Sequence, residues 1–119
     1  HEVGKALGTG AIFTERENGK MTLRRGFRIE PGERVLIVED IVTTGGSVQE
    51  VVDVVKAAGG VIAGVGLLVD RSSGKAEFGV PEEDVQALLH LTVPTYRADS
   101  CPLCKKGVPV TERGSHHLQ

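Results

Sequence analysis

The most regular stretch of the chain runs from Glu30 to Gly60, where the spacing of apolar positions changes twice. Pro31-Gly32 signals a turn. Val35-Leu36-Ile37-Val38 is a short apolar run rich in β-branched residues, and Glu39 and Asp40 end it, which predicts a strand buried on both faces. Val48, Val51, Val52 and Val55 then recur at helical spacing, with Ser47 placed to cap and Gly59 to terminate. A second apolar run, Val61 to Val69, predicts another buried strand. Strand, helix and strand with short connections form a βαβ unit, whose strands are parallel and whose crossover is right-handed. The predicted fold class is α/β, a parallel sheet flanked by helices.

The flanks carry weaker periods. Glu2 to Leu7 reads as the end of a helix stopped by Gly8, and Ala11 to Thr14 as a short strand. Glu15 to Arg28 holds five cations, Arg16, Lys20, Arg24, Arg25 and Arg28, without a firm period, and reads as a mobile basic loop or ribbon. Pro81 to Asp84 predicts a helical first turn and Ala87 to Leu91 a last strand. Residues 1–98 are expected to form one core and residues 99–119 a tail holding Cys101 and Cys104.

Composition narrows the function classes. With 119 residues, 39% apolar and 25% charged, the chain suits one domain. Fourteen Lys and Arg against 16 Asp and Glu give a net charge of -2, so nothing draws the whole molecule to nucleic acid or anionic lipid. The four aromatics are scattered and offer no base-stacking platform. The longest apolar run is far short of the roughly 20 residues that span a bilayer, so no membrane segment is expected. HEVGKALG lacks the layout of a signal peptide and two Cys make no disulfide framework, which predicts a cytoplasmic setting.

Candidate chemistry concentrates in Val35 to Ser47, VLIVEDIVTTGGS. Ligands of open parallel sheets bind beyond the carboxyl ends of the strands, where this chain presents Glu39 and Asp40. Adjacent carboxylates suit a diol such as two ribose hydroxyls, directly or through a divalent cation. Thr43, Thr44, Gly45, Gly46 and Ser47 then lead into a helix N-terminus, where free N–H groups and the dipole favour an anion. A P-loop is absent, because no Lys follows Gly at the required spacing. The GxGxxG fingerprint is absent too, since Val69 stands where its third Gly would be. The ordinary alternative is a capped strand-to-helix loop beside a solvated strand end.

As one run, VLIVEDIVTTGGS resembles the phosphoribosyl pyrophosphate (PRPP) motif of the type I phosphoribosyltransferases. The wording EDIVTTGGSV, Asp70-Arg71 after the next strand, and the tail CPLCKKGVP are most similar to the orotate-using members. The resemblance implies Mg2+-dependent transfer of phosphoribosyl from PRPP to orotate in pyrimidine biosynthesis. It assigns Glu39, Asp40, Thr43, Thr44, Gly45, Gly46 and Ser47 to the ribose 5-phosphate and Arg71 to orotate. Asp40 would also steady positive charge developing on the ribose. Arg16 best matches the family's mobile basic loop, with Lys20 second, and such a loop closing on a neighbouring site implies a homodimer. HEVGKALG is similar to the end of the helix that follows the family's pyrophosphate loop, so the chain is expected to begin within the domain. Two other readings stand: a purine phosphoribosyltransferase, from which Arg71 is the discriminator, or a PRPP- or nucleotide-binding regulator or inactive fragment of the same fold. Cys101 and Cys104 read as paired reduced thiols, with zinc or a thioredoxin-like role as alternatives. His116 and His117 fall in a tail that reads as vector-derived, and His1 and His90 read as surface and strand-end residues.

Overall fold

The computed structural model describes residues 1–109. Three parallel strands form its centre, β3 (Arg34–Val42), β4 (Val61–Asp70) and β5 (Val85–His90), hydrogen-bonded in that order. Helix α2 (Gly46–Ala57) joins β3 to β4. Its Val48, Val52 and Val55 recur at intervals of four and three residues and are at most 2% exposed. They meet Ile37, Val42, Val65 and Leu67 of the sheet, with Ile29 and Phe78 closing the rim of the core. The C-terminus of α2 has the expected glycine stop. Gly59 adopts φ 81°, its N–H donates to Lys56 O, and the Gly60 N–H donates to Val55 O at 3.0 Å.

Among the described residues only one face of the sheet is covered. Leu36, Val38 and Leu68 are 44%, 43% and 46% exposed and Leu88 is 83% exposed, so the expectation of strands buried on both faces is corrected. Double burial needs helices on both sides, and among the described residues α2 covers one. Nor do Glu39 and Asp40 end the strand. Pairing with β4 continues through Glu39 opposite Leu67 and Ile41 opposite Val69 to Val42 opposite Asp70, so both acidic residues lie within the strand and Glu39 is paired in the ladder.

On the amino-terminal side, α1 (Glu2–Leu7) ends at left-handed Gly8 as expected. The predicted strand at Ala11 to Thr14 is displaced. The chain enters β1 only at Thr14, and β1 (Thr14–Glu17) pairs antiparallel with β2 (Lys20–Leu23). Asn18 and Gly19 take φ 51° and 79°, the two left-handed residues of a tight hairpin turn. The basic ribbon is therefore an ordered hairpin, and it stands against α2. The turn at Glu82–Asp84 forms as a single 3-10 turn, and the last strand starts two residues earlier than expected, at Val85. A short helix, α3 (Pro102–Lys105), follows. No helix among the described residues is long and apolar enough to cross a membrane. His116 and His117 lie outside the described residues.

Candidate active site

At the carboxyl end of β3 the chain turns into α2 around a depression of about 110 Å3. Glu39, Thr43, Thr44, Gly45, Gly46 and Ser47 line it, with Ile41, Val42 and Val48. Of the ribose and phosphate residues expected there, Asp40 alone is not in the lining. Its carboxylate instead accepts from the Ile41 N–H at 2.7 Å, beside the opening.

Gly45, not Ser47, caps the helix, and Ser47 is the second helical residue. That position favours glycine for steric reasons. Gly45 takes φ 84°, and a Cβ there would stand 3.1 Å from both Ala76 Cβ and Phe78 Cε1. The segment after β4 thus presses on the loop and demands glycine. Gly46 faces open space, its nearest neighbour for an added Cβ being Thr44 Oγ1 at 3.8 Å. The first intrahelical bond is Gln49 N–H to Gly45 O, no side chain caps the helix start, and no acidic residue occupies the first turn. The first-turn amides and the positive end of the dipole are left facing the depression, an arrangement suited to an anion.

Partial burial pushes the Glu39 carboxyl above its ordinary range, with the Asp40 carboxyl beside it acting in the same direction. Charge at this pair is thereby held at a cost that a hydroxyl donor or a cation would relieve. Among the described residues no group of three or more His, Cys, Asp or Glu is gathered for a metal ion.

Arg71 follows β4 directly, and its N–H donates to Val42 O at 2.8 Å, which sets it against the depression wall. Its Nε is buried and has no partner among the described residues. Sequence reasoning missed what holds this turn. Asp70 Oδ1 accepts from the Ser72 N–H at 2.7 Å, and its Oδ2 lies 3.3 Å from Nδ1 of His90 at the end of β5. The Ser72 hydroxyl lies by the same carboxylate without good hydrogen-bond geometry, and these Ser72 contacts, with His90 behind them, hold Asp70 below the usual carboxylate range. The available signal was Asp-Arg-Ser after a strand, a side chain able to bond the backbone two residues on.

The hairpin cations do not reach the depression. Arg16 donates to Glu50 Oε1 of α2 at 2.7 Å and to Gly19 O at 3.0 Å. Arg24 and Arg25 pair with Glu15 and Glu17 on their own ribbon. Lys20 makes no ion pair among the described residues and lies in a second groove, with Met21, Glu50 and Asp53.

Residues 6–80, spanning strand, loop, helix and strand, match the model of the phosphoribosyl transferase domain. The chain belongs to this family. Within the phosphoribosyltransferases it is 57% identical to the orotate phosphoribosyltransferase of Desulforamulus reducens, over 99% of this chain and 60% of that protein. It is 50% identical to the orotate phosphoribosyltransferase of Thermotoga maritima, over 98% of this chain and 61% of the relative. The chain thus spans about three-fifths of the length of the curated relatives it matches. In three dimensions it is similar to adenine phosphoribosyltransferase from Thermoanaerobacter pseudethanolicus, with a TM-score of 0.53 and 21% identity, covering 76% of this chain and 62% of that one, a likeness of fold.

Proposed function

We propose that the chain carries the PRPP and acceptor half of an orotate phosphoribosyltransferase, which transfers phosphoribosyl from PRPP to orotate to give orotidine 5-monophosphate and pyrophosphate. The observation that carries the orotate assignment is Arg71, a guanidinium at the edge of the phosphate loop whose Nε has no partner among the described residues. A planar guanidinium suits the carboxylate of orotate. The names of the relatives agree with this substrate.

In the proposed reaction the bond from the anomeric carbon to pyrophosphate breaks and a bond to the orotate ring nitrogen forms on the opposite face. Positive character builds on the ribose between these events, as in glycoside hydrolysis. The Thr43 to Ser47 loop would fix the 5-phosphate, and Glu39 and Asp40 would accept from the ribose hydroxyls, Asp40 also facing the developing charge. Two hard carboxylates without a closed cage fit Mg2+ arriving on the substrate, since that ion keeps water and phosphate oxygens. Magnesium would supply charge neutralisation for the departing pyrophosphate. Arg16 and Lys20 are the cations that a moving hairpin would bring to the same group, Arg16 by releasing Glu50. The hairpin stands on its own α2 rather than over its own depression, which suits service to a neighbouring copy in a homodimer. A cytoplasmic setting belongs to the same reading.

Calorimetric titration with orotidine and uridine 5-monophosphates tests the assignment, because the two differ by the carboxylate alone. The parent should bind the orotidine nucleotide at least tenfold more tightly, about 1.4 kcal/mol, and Arg71→Ala should abolish that preference while leaving the uridine nucleotide unaffected. Equal affinities in the parent would overturn the orotate assignment.

A further inference from the structure

Cys101 and Cys104 lie outside the site and take no part in the proposed transfer. They are the only cysteines of the chain and both are free thiols, Cys104 exposed and Cys101 half-buried. In the sequence they read as paired reduced thiols, with a thioredoxin-like role, which calls for the motif to open a helix, as an alternative. The structure supplies that helix. Cys101 is the N-cap of α3, Pro102 is its first residue, and the Cys104 N–H donates to Cys101 Sγ at 3.4 Å. Pro is favoured at that position because its missing N–H would be unpaired there anyway. One turn of backbone therefore brings the two thiols to the same side.

We propose that Cys101 and Cys104 are a redox-active dithiol that closes reversibly to an intramolecular disulfide by exchange with small-molecule disulfides, Cys101 attacking and Cys104 resolving. The roles follow from the local bonds. The Cys104 N–H stabilises sulfur charge on Cys101 and draws its thiol below the ordinary value, whereas the sulfur of Cys101 pushes the Cys104 thiol up. Thiolate is the nucleophile, so Cys101 reacts first. Its thiolate attacks one sulfur of the small disulfide, forming a mixed disulfide and releasing one thiolate. Cys104 then loses its proton to solvent and attacks the Cys101 sulfur. The mixed bond breaks, a second small thiolate leaves, and the intramolecular disulfide remains. The protein dithiol is oxidised by two electrons and the small disulfide is reduced to two thiols. A structural thiol would be buried in apolar surroundings and inert, which these are not. A protein metal site would need further ligands, and among the described residues none is gathered with the two sulfurs.

The chain, reduced and held with a chelator, is equilibrated with mixtures of reduced and oxidised glutathione, then acid-quenched for intact mass and thiol titration. Two free thiols should fall to none as the oxidised fraction rises, with a mass loss of two hydrogens and no covalent dimer. Adding reduced glutathione should restore both. Cys104→Ser should accumulate a single glutathione adduct on Cys101, and Cys101→Ser should react roughly tenfold more slowly. Both thiols persisting in excess oxidised glutathione, stable adducts on both residues of the parent, or covalent dimers as the main product would each overturn the proposal. Equal rates in the two single variants would overturn the assignment of roles. None of these variants touches the core, so a failed fold does not enter the outcome.

Discussion

At the scale of single residues, two neighbouring glycines do different work. Gly45 is favoured by the fold, since its left-handed φ strains any side chain and an added Cβ would crowd Ala76 and Phe78 at 3.1 Å. Gly45→Ala should lower stability by about 2 kcal/mol, combining left-handed strain with overpacking, as read by chemical denaturation. Gly46 has room and ordinary helical backbone. Gly46→Val should fold with a loss below about 1 kcal/mol, yet weaken nucleotide monophosphates about tenfold or more by blocking the first-turn amides. Unchanged nucleotide affinity in that folded variant would remove the loop from the site. Asp70 makes a different kind of prediction. Its folded carboxyl titrates below its unfolded value, so it contributes stability above the ordinary Asp range, and that contribution is lost as pH falls through the lower, folded value. Asp70→Asn should therefore cost about 1 kcal/mol near pH 7, and the gap from the parent should close in acid. A gap that persists unchanged down to the lowest pH at which the parent stays folded would assign the loss to packing rather than charge.

Among the elements, the hairpin carries the sharpest contrast between stability and activity. Arg16 and Glu50 form an exposed pair, their side chains 48% and 40% accessible, and such pairs add little to stability because solvent screens them. Arg16→Ala should barely shift the melting temperature, whereas phosphoribosyl transfer by the protein should slow by about tenfold or more if this cation meets the pyrophosphate. An unaltered rate would leave Lys20 as the hairpin's contribution. The hairpin also shows why some of the architecture was hidden in the sequence. Asn18-Gly19 is a strong turn signal, but the density of charge from Glu15 to Arg28 masked the alternation on either side of it. The βαβ unit was readable because Val48, Val52 and Val55 obey the helical period and Gly59 stops it in the left-handed form. The helix start was misread at Ser47 because Gly45 takes the cap in a left-handed conformation, and the crowding that favours glycine there comes from Ala76 and Phe78, about 30 residues away. Likewise, pairing with β4 extended β3 past its apolar run. The depression residues from Glu39 to Ser47 could be read as a group, but the bracing of the Asp70–Ser72 turn by His90 needed the third strand in place.

For the molecule as a whole, the bare sheet face dominates. The radius of gyration is 17.0 Å, against about 13–14 Å for a compact chain of this length. Leu36, Val38, Leu68 and Leu88 share this exposed surface, and a patch of that kind binds apolar probes. Leu88→Lys should reduce fluorescence of a bound hydrophobic dye while leaving the unfolding midpoint within about 0.5 kcal/mol of the parent. A large loss of stability would show that Leu88 is covered in solution. The sheet is open in a second direction as well. Among the described residues the first strand of the order β3-β4-β5 has a single neighbour, which leaves one side of its nine residues as an edge. Such edges template association with other chains unless something blunts them. Here the blunting falls to Asp40, whose carboxylate occupies the Ile41 N–H at 2.7 Å and adds charge at the rim. The residue proposed to hold the ribose would thus also discourage association along this edge. Asp40→Ala would remove both protections at once, so it should form oligomers faster on concentration than Asp40→Asn, which keeps an acceptor for that amide.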